Sequence, residues 1–154
     1  MTNPTTVERV SDVEVRVTRV VNAPVRKVYA AWTRAELFRQ WWVPKSAPVK
    51  LLSCEMDVRV GGGYKLVFEY QGSEMAFFGK YTEVVPEARL VWTNDESGDA
   101  GQVSTVNFED LGNKTRVVMS DRYASKEALD AGIGSLDGAS ETFDQLEALV
   151  AAAA

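Results

Sequence analysis

Hydrophobic and polar residues alternate with period two in "VEVRVTRVV", setting Val13, Val15, Val17 and Val21 on one face and Glu14, Arg16 and Thr18 on the other. That is the pattern of a half-buried strand. The period changes in "NAPVRKVYAAW", where Val25, Val28, Tyr29 and Trp32 recur at helical spacing behind Asn22 as N-cap and Pro24 in the first turn. Thr33 and Glu36 in "TRAE" fit a capping box opening a second helix, which carries Leu37 and Trp41 on one face and Phe38 and Trp42 one position round. Pro44 disfavours helical geometry at Val43 and ends it. The helix thus stops on two adjacent tryptophans. Neighbouring side chains sit about 100° apart around a helix axis, so one indole can enter the core while the other needs a different surface. One is expected to pack inward, and its neighbour must find another surface: a sheet, a cavity or a partner.

From Val49 to Tyr123 the signals are those of an antiparallel meander. "VKLLSCEMDV" is strand-like, and "RVGGGYKLVFEY" breaks at glycines that can supply the positive φ of a turn. Turn signals at "QGSE", "PEAR", "DESGDAGQ" and "DLGNK" separate further strands, with Gly79 marking a bulge or a close backbone approach. The sum is about seven strands, too many to lie flat, so the sheet should curve strongly. The tail, opened by Ser125 as N-cap, carries Leu129, Ile133, Leu136, Phe143, Leu146 and Val150 as one apolar stripe and reads as an amphipathic helix against that sheet. Gly132, Gly134 and Gly138 cost about 1 kcal/mol each in a helix interior, so its first half should be loose, broken or closely packed. The terminal alanines read as a frayed end.

Composition then removes function classes. With 154 residues the chain suits one domain, expected over residues 12–152 behind a flexible N-terminus of residues 1–11. A net charge of −5 gives no basic field for nucleic acid or anionic lipid, and no apolar run reaches bilayer length, so neither nucleic acid nor a membrane is an expected partner and a cytoplasmic location is expected. The chain has no histidine. Ser-His and Cys-His pairs and His-ligated zinc or haem go out together, and no metal or cofactor is expected. Cys54, the single cysteine, suits a reducing compartment and reads as a small buried hydrophobe rather than a reactive thiol. The triple glycine lacks the GxxxxGK[ST] spacing and lies between strands, so it is a turn and not a phosphate loop.

The order of strand, two short helices, further strands and long helix resembles the helix-grip, or START-like, fold of the SRPBCC superfamily. Its phrases look like the bacterial branch related to the activator of the heat-shock-protein ATPase. The matching stretches are "VVNAPVRKVYAAWT", "LFRQWWVP", "MDVRVGGGYK", "FGKYTEVVPEARLVWT", "TRVVM" and "DGASETFDQLEAL", covering nearly all of the chain beyond residue 12. Two departures stand out: Val43 where the family often has Gly, and Ala139 where many members carry Trp or Met. The second exchanges a large side chain for a methyl on the helix expected to close the cavity. The resemblance implies an α+β fold in which a curved antiparallel sheet grips the C-terminal helix over a pocket.

On that frame the expected function is binding of a small hydrophobic molecule, such as a lipid, sterol, polyketide-like or aromatic compound. Trp41, Trp42, Arg59, Phe68, Phe77, Tyr81, Trp92, Ala139 and Phe143 are the candidate ligand contacts. Asp57 and Arg59 could fix a polar head group, or could simply be a salt bridge at a strand end. The aromatic residues could equally be ordinary sheet core. A cyclase or hydratase would need Asp57, Tyr81 or Glu83 as acid or base, unneutralised and inside the cavity. A third possibility is an interaction module docking on a chaperone or on a second copy of the chain, which predicts an exposed apolar patch.

Overall fold

The structure is a computed structural model that describes residues 5–43, 45–46, 48–94, 102–132 and 139–152. Strands β1 (Thr5–Arg9), β2 (Glu14–Val21), β3 (Val49–Met56), β4 (Gly63–Tyr70), β5 (Ser73–Val85), β6 (Arg89–Asn94), β7 (Gln102–Asp110) and β8 (Thr115–Arg122) form one antiparallel sheet. Its order is β1-β2-β8-β7-β6-β5-β4-β3. Helices α1 (Val25–Thr33) and α2 (Ala35–Trp41) link β2 to β3, and α3 (Lys126–Gly132) and α4 (Ala139–Ala152) follow β8. This is the α+β helix-grip architecture.

The extra strand is β1. Residues 1–11 were expected to be a flexible leader, yet Thr5–Arg9 pair with Val15 to Arg19 of β2. The valine-rich β2 needs a neighbour on both sides, and β8 supplies only one. The inward face of β2 alternates as expected at Val15, Val17 and Val21, and the same alternation carries Arg19 into the interior, only 1% exposed. Its guanidinium meets Glu147 at 2.6 Å and Asp144 at 2.8 Å on α4, and donates to the Thr5 hydroxyl at 2.8 Å on β1. One buried cation thus ties the added strand to the last helix.

Helix boundaries depart from the local signals. The Asn22 side chain does not open α1; Pro24 stands at the N-cap, and the Asn22 backbone N–H donates to Glu147. No Thr33–Glu36 capping box forms, because α1 continues through Thr33 and its hydroxyl donates back to the Tyr29 carbonyl at 2.9 Å. Arg34 begins α2 instead, and Glu36 pairs with Arg34. The tail is two helices rather than one. Ser125 does cap α3, its Oγ accepting from the Ala128 N–H at 3.1 Å, but α3 ends at the costly Gly132. The tail glycines Gly134 and Gly138, the apolar positions Ile133 and Leu136, the "DESGDA" turn, Pro44 and the last two alanines lie outside the described residues. The remaining stripe holds, with Leu129, Phe143, Leu146 and Val150 all buried.

Two glycines shape the far side of the sheet. A Cβ on Gly79 would lie 1.9 Å from the Thr93 carbonyl oxygen, so β5 and β6 close up there only because the side chain is absent. The register between them shifts just beyond, between Tyr81 and Glu83. A Cβ on Gly62 would meet the Asp57 carbonyl at 2.0 Å, and the turn it permits exchanges backbone hydrogen bonds with Tyr81, fixing that residue's depth.

Candidate ligand-binding site

The double tryptophan is held from both sides. Trp41 is fully buried, and its indole N–H donates to the Ala31 carbonyl of α1 at 2.9 Å. The Trp41 and Val43 carbonyls at the end of α2 accept from the Gln145 side-chain amide of α4, at 3.0 and 2.9 Å. A helix end that would otherwise carry orphan carbonyls is thereby satisfied by a neighbouring helix. Trp42 turns the other way. It stacks on Phe38 at 4.7 Å and stands edge-on to Trp32 at 5.9 Å.

Trp42 faces a cavity of about 430 Å³ between the sheet and α4, a size suited to a small organic ligand. Trp42 lines the hollow, whereas Trp41, also an expected contact, does not. Phe68, Phe77, Tyr81, Trp92, Ala139 and Phe143, all expected contacts, line it too. Tyr81 is 5% exposed, and burial pushes its phenol well above the ordinary tyrosine range, so it stays protonated in the neutral range and gives up its proton less readily than a free tyrosine. Phe77, 37% exposed, stands where the wall meets the surface.

Four expected site residues lie elsewhere: Trp41 in the core, and Asp57, Arg59 and Glu83 away from the cavity. Arg59 donates from Nε to Asp57 at 2.8 Å, both side chains are largely exposed, and neither lines the cavity, so the strand-end salt bridge is the reading that holds. Glu83 pairs with Arg89 at 3.0 Å on the surface. An acid or base role for Asp57 or Glu83 within the cavity is therefore corrected. Cys54 is half-buried, and burial raises its thiol pKa, in keeping with a packing role.

The polar end of the cavity was not foreseen. Along β8 the inward positions are Thr115, Val117, Met119 and Asp121, with Tyr123 next. Strand register makes rows across the sheet: Leu90, Val106, Met119 and Val17 are all apolar, and the next row holds Trp92, Ser104, Asp121 and Val15. The Ser104 hydroxyl donates to Asp121 Oδ1 at 2.5 Å. Ser104 Oγ in turn accepts from the Asn94 amide at 3.1 Å, and that amide also donates to the Gln102 carbonyl at 3.4 Å. The Tyr64 hydroxyl donates to the Thr93 carbonyl at 2.8 Å, with Asn94 Oδ1 3.3 Å away. Burial raises the Asp121 pKa, and the Ser104 bond only partly offsets it. Tyr123 is raised too, by burial first and by the Asp121 charge second. Period two alone would have found Asp121, two positions beyond Met119.

Residues 22–151 match the family described as Activator of Hsp90 ATPase homolog 1-like protein. The chain belongs to this family. Its membership supports a ligand-binding or activator-like domain. A Chromobacterium violaceum protein of known structure is 28% identical, with a TM-score of 0.75 over 91% of this chain and 98% of its own. A Mycobacterium smegmatis protein superposes with a TM-score of 0.82 at 24% identity over 98% of this chain and 100% of that one. An Aeromonas hydrophila protein described as AHSA1-like gives 0.70 at 20% identity over 90% and 93%. No curated protein matches the chain. Among the described residues no helix is long and apolar enough to cross a membrane, and no group of three or more potential metal ligands gathers.

Proposed function

We propose that this family member binds a small, largely hydrophobic molecule in the cavity between sheet and α4. The carrying observation is the cavity itself: about 430 Å³, walled mostly by aromatic and aliphatic side chains, with Asn94, Gln102, Ser104 and Asp121 among the few polar groups. Burying a ligand's apolar surface there is worth about 25 cal/mol per Å², and the polar end would orient it. Ala139 supports the reading, since its methyl lines the hollow where a bulky side chain would fill it. Exposed Met75 and Phe77 continue the apolar wall of β5 to the surface and offer a way in.

Thermal unfolding against a panel of fatty acids, sterols, flavonoids and polyketide-like aromatics tests this. A saturable rise in Tm with at least one class is expected. No shift with any of them would remove the binding reading and leave the exposed apolar residues of β5 as a surface for another macromolecule.

A further inference from the structure

The inner end of the cavity holds an unbalanced charge. Asp121 is half-buried and lines the hollow. Its Oδ1 is taken by Ser104, while Oδ2 has no partner among the described residues. No ion pair of the described residues includes Asp121, and every lysine and arginine of the chain falls within them. A carboxylate on a largely apolar wall without a cation is costly, and proteins normally pair it or neutralise it. The neighbours make this worse rather than better as donors: Ser104 has its hydrogen on Asp121, and both hydrogens of the Asn94 amide are engaged. Of these three groups, what remains open to a ligand is the Asp121 carboxylate; elsewhere on the wall the Trp32 indole N–H is a buried donor without a partner among the described residues.

The surrounding walls suit a positive group. Trp92 shares the cross-strand row with Ser104 and Asp121, and Tyr81 stands edge-on to Trp92 with centroids 6.4 Å apart. Tyr64 meets Tyr81 at 5.9 Å, and Tyr123 lines the same end. Aromatic faces attract ammonium groups most strongly where water is excluded.

We infer that the cavity's ligand is a hydrophobic amine, its ammonium seated against Asp121 and the aromatic faces and its apolar body lying toward Trp42 and Phe143. This rests on the binding reading above and narrows it to one chemical class. A neutral donor such as an alcohol could bond Oδ2 but would leave the charge unmatched, whereas an ammonium answers both needs with one group.

Calorimetric titration with 4-phenylbutylamine, 4-phenylbutan-1-ol and 4-phenylbutanoate at pH 7.5 decides the matter, because the three probes share one apolar body. The amine should bind roughly tenfold or more tighter than the alcohol, the scale of a charge-assisted hydrogen bond, and the carboxylate weakest. In Asp121→Asn the amine's advantage should vanish while the alcohol's affinity stays within about threefold of wild type. Equal binding of amine and alcohol, a preference for the carboxylate, or an amine preference that survives in Asp121→Asn would each overturn the inference while leaving the binding reading in place. If none of the probes binds, the inference is overturned, and the thermal-unfolding panel of fatty acids, sterols, flavonoids and aromatics separately judges the broader reading.

Discussion

Arg19 and Asp121 both set a charge on the inner face of the sheet, on adjacent strands β2 and β8, and their surroundings are opposite. Arg19 is enclosed by Glu147, Asp144 and Thr5, so its charge is answered from two directions. Asp121 has one hydroxyl on one oxygen and a cavity in front of the other. The first arrangement joins β1, β2 and α4 and leaves no room for a ligand. The second leaves a charge and a space together, which serves recognition better than stability.

Breaking the matched charge should have the largest effect. Arg19→Met leaves the Glu147 carboxylate without its cation beneath α4, and is expected to cost about 3 kcal/mol by denaturant unfolding. If the loss is below about 1 kcal/mol, the pairing does not hold the helix to the sheet. Ala139→Trp acts on the other side of the comparison. It should fill the hollow and lower affinity for any cavity ligand by at least about tenfold, while the cost to folding stays near 1–3 kcal/mol. Wild-type affinity in that variant would mean that ligands bind elsewhere.

Asp121→Asn should reverse the usual sign of a core substitution. Burial holds the folded-state pKa of Asp121 above its unfolded value, so the folded chain binds this proton more tightly. The associated stability is present below the unfolded aspartate range and disappears as pH rises through the folded value. Tyr123 is the titratable group coupled to it on the same wall, and its own raised pKa keeps it neutral through that range. In the absence of ligand, the variant should therefore melt above wild type at pH 7.5, with the gap narrowing toward pH 4. A gap that widens in acid would show that the carboxylate is compensated after all. The smallest effect belongs to Arg59→Ala, whose partner Asp57 is also exposed: within about 0.5 kcal/mol, and no change in ligand affinity.

The two inner charges also mark what the sequence disclosed. Alternation in β2 and the stripe at Leu129, Phe143, Leu146 and Val150 were legible because each face repeats a single kind of residue. Helix geometry separated the two adjacent indoles but could not say which one lines the cavity; that depends on the long-range contacts of α2 with α1 and α4. Arg19 and Asp121 occupy inward positions by the same period, but a charge in an apolar series reads as an interruption. Nothing local discloses the partner of Arg19, since Glu147 lies 128 residues away. β1 escaped for a similar reason: "TTVER" is too polar to declare itself, and is recruited by the edge that β2 presents. The capping box at Thr33 failed in the opposite sense, a good local motif overruled because the preceding helix claims its hydroxyl.

The tryptophans have a practical corollary. Trp32 lies 4.7 Å from Trp41, 5.9 Å from Trp42 and 6.2 Å from Trp92, so all 4 indoles of the chain form one cluster, 3 of them on the cavity wall. Excitation energy can pass among them, and whatever enters that space meets the shared emitter. A ligand filling that space would therefore be expected to change the protein's native fluorescence, readable without a label.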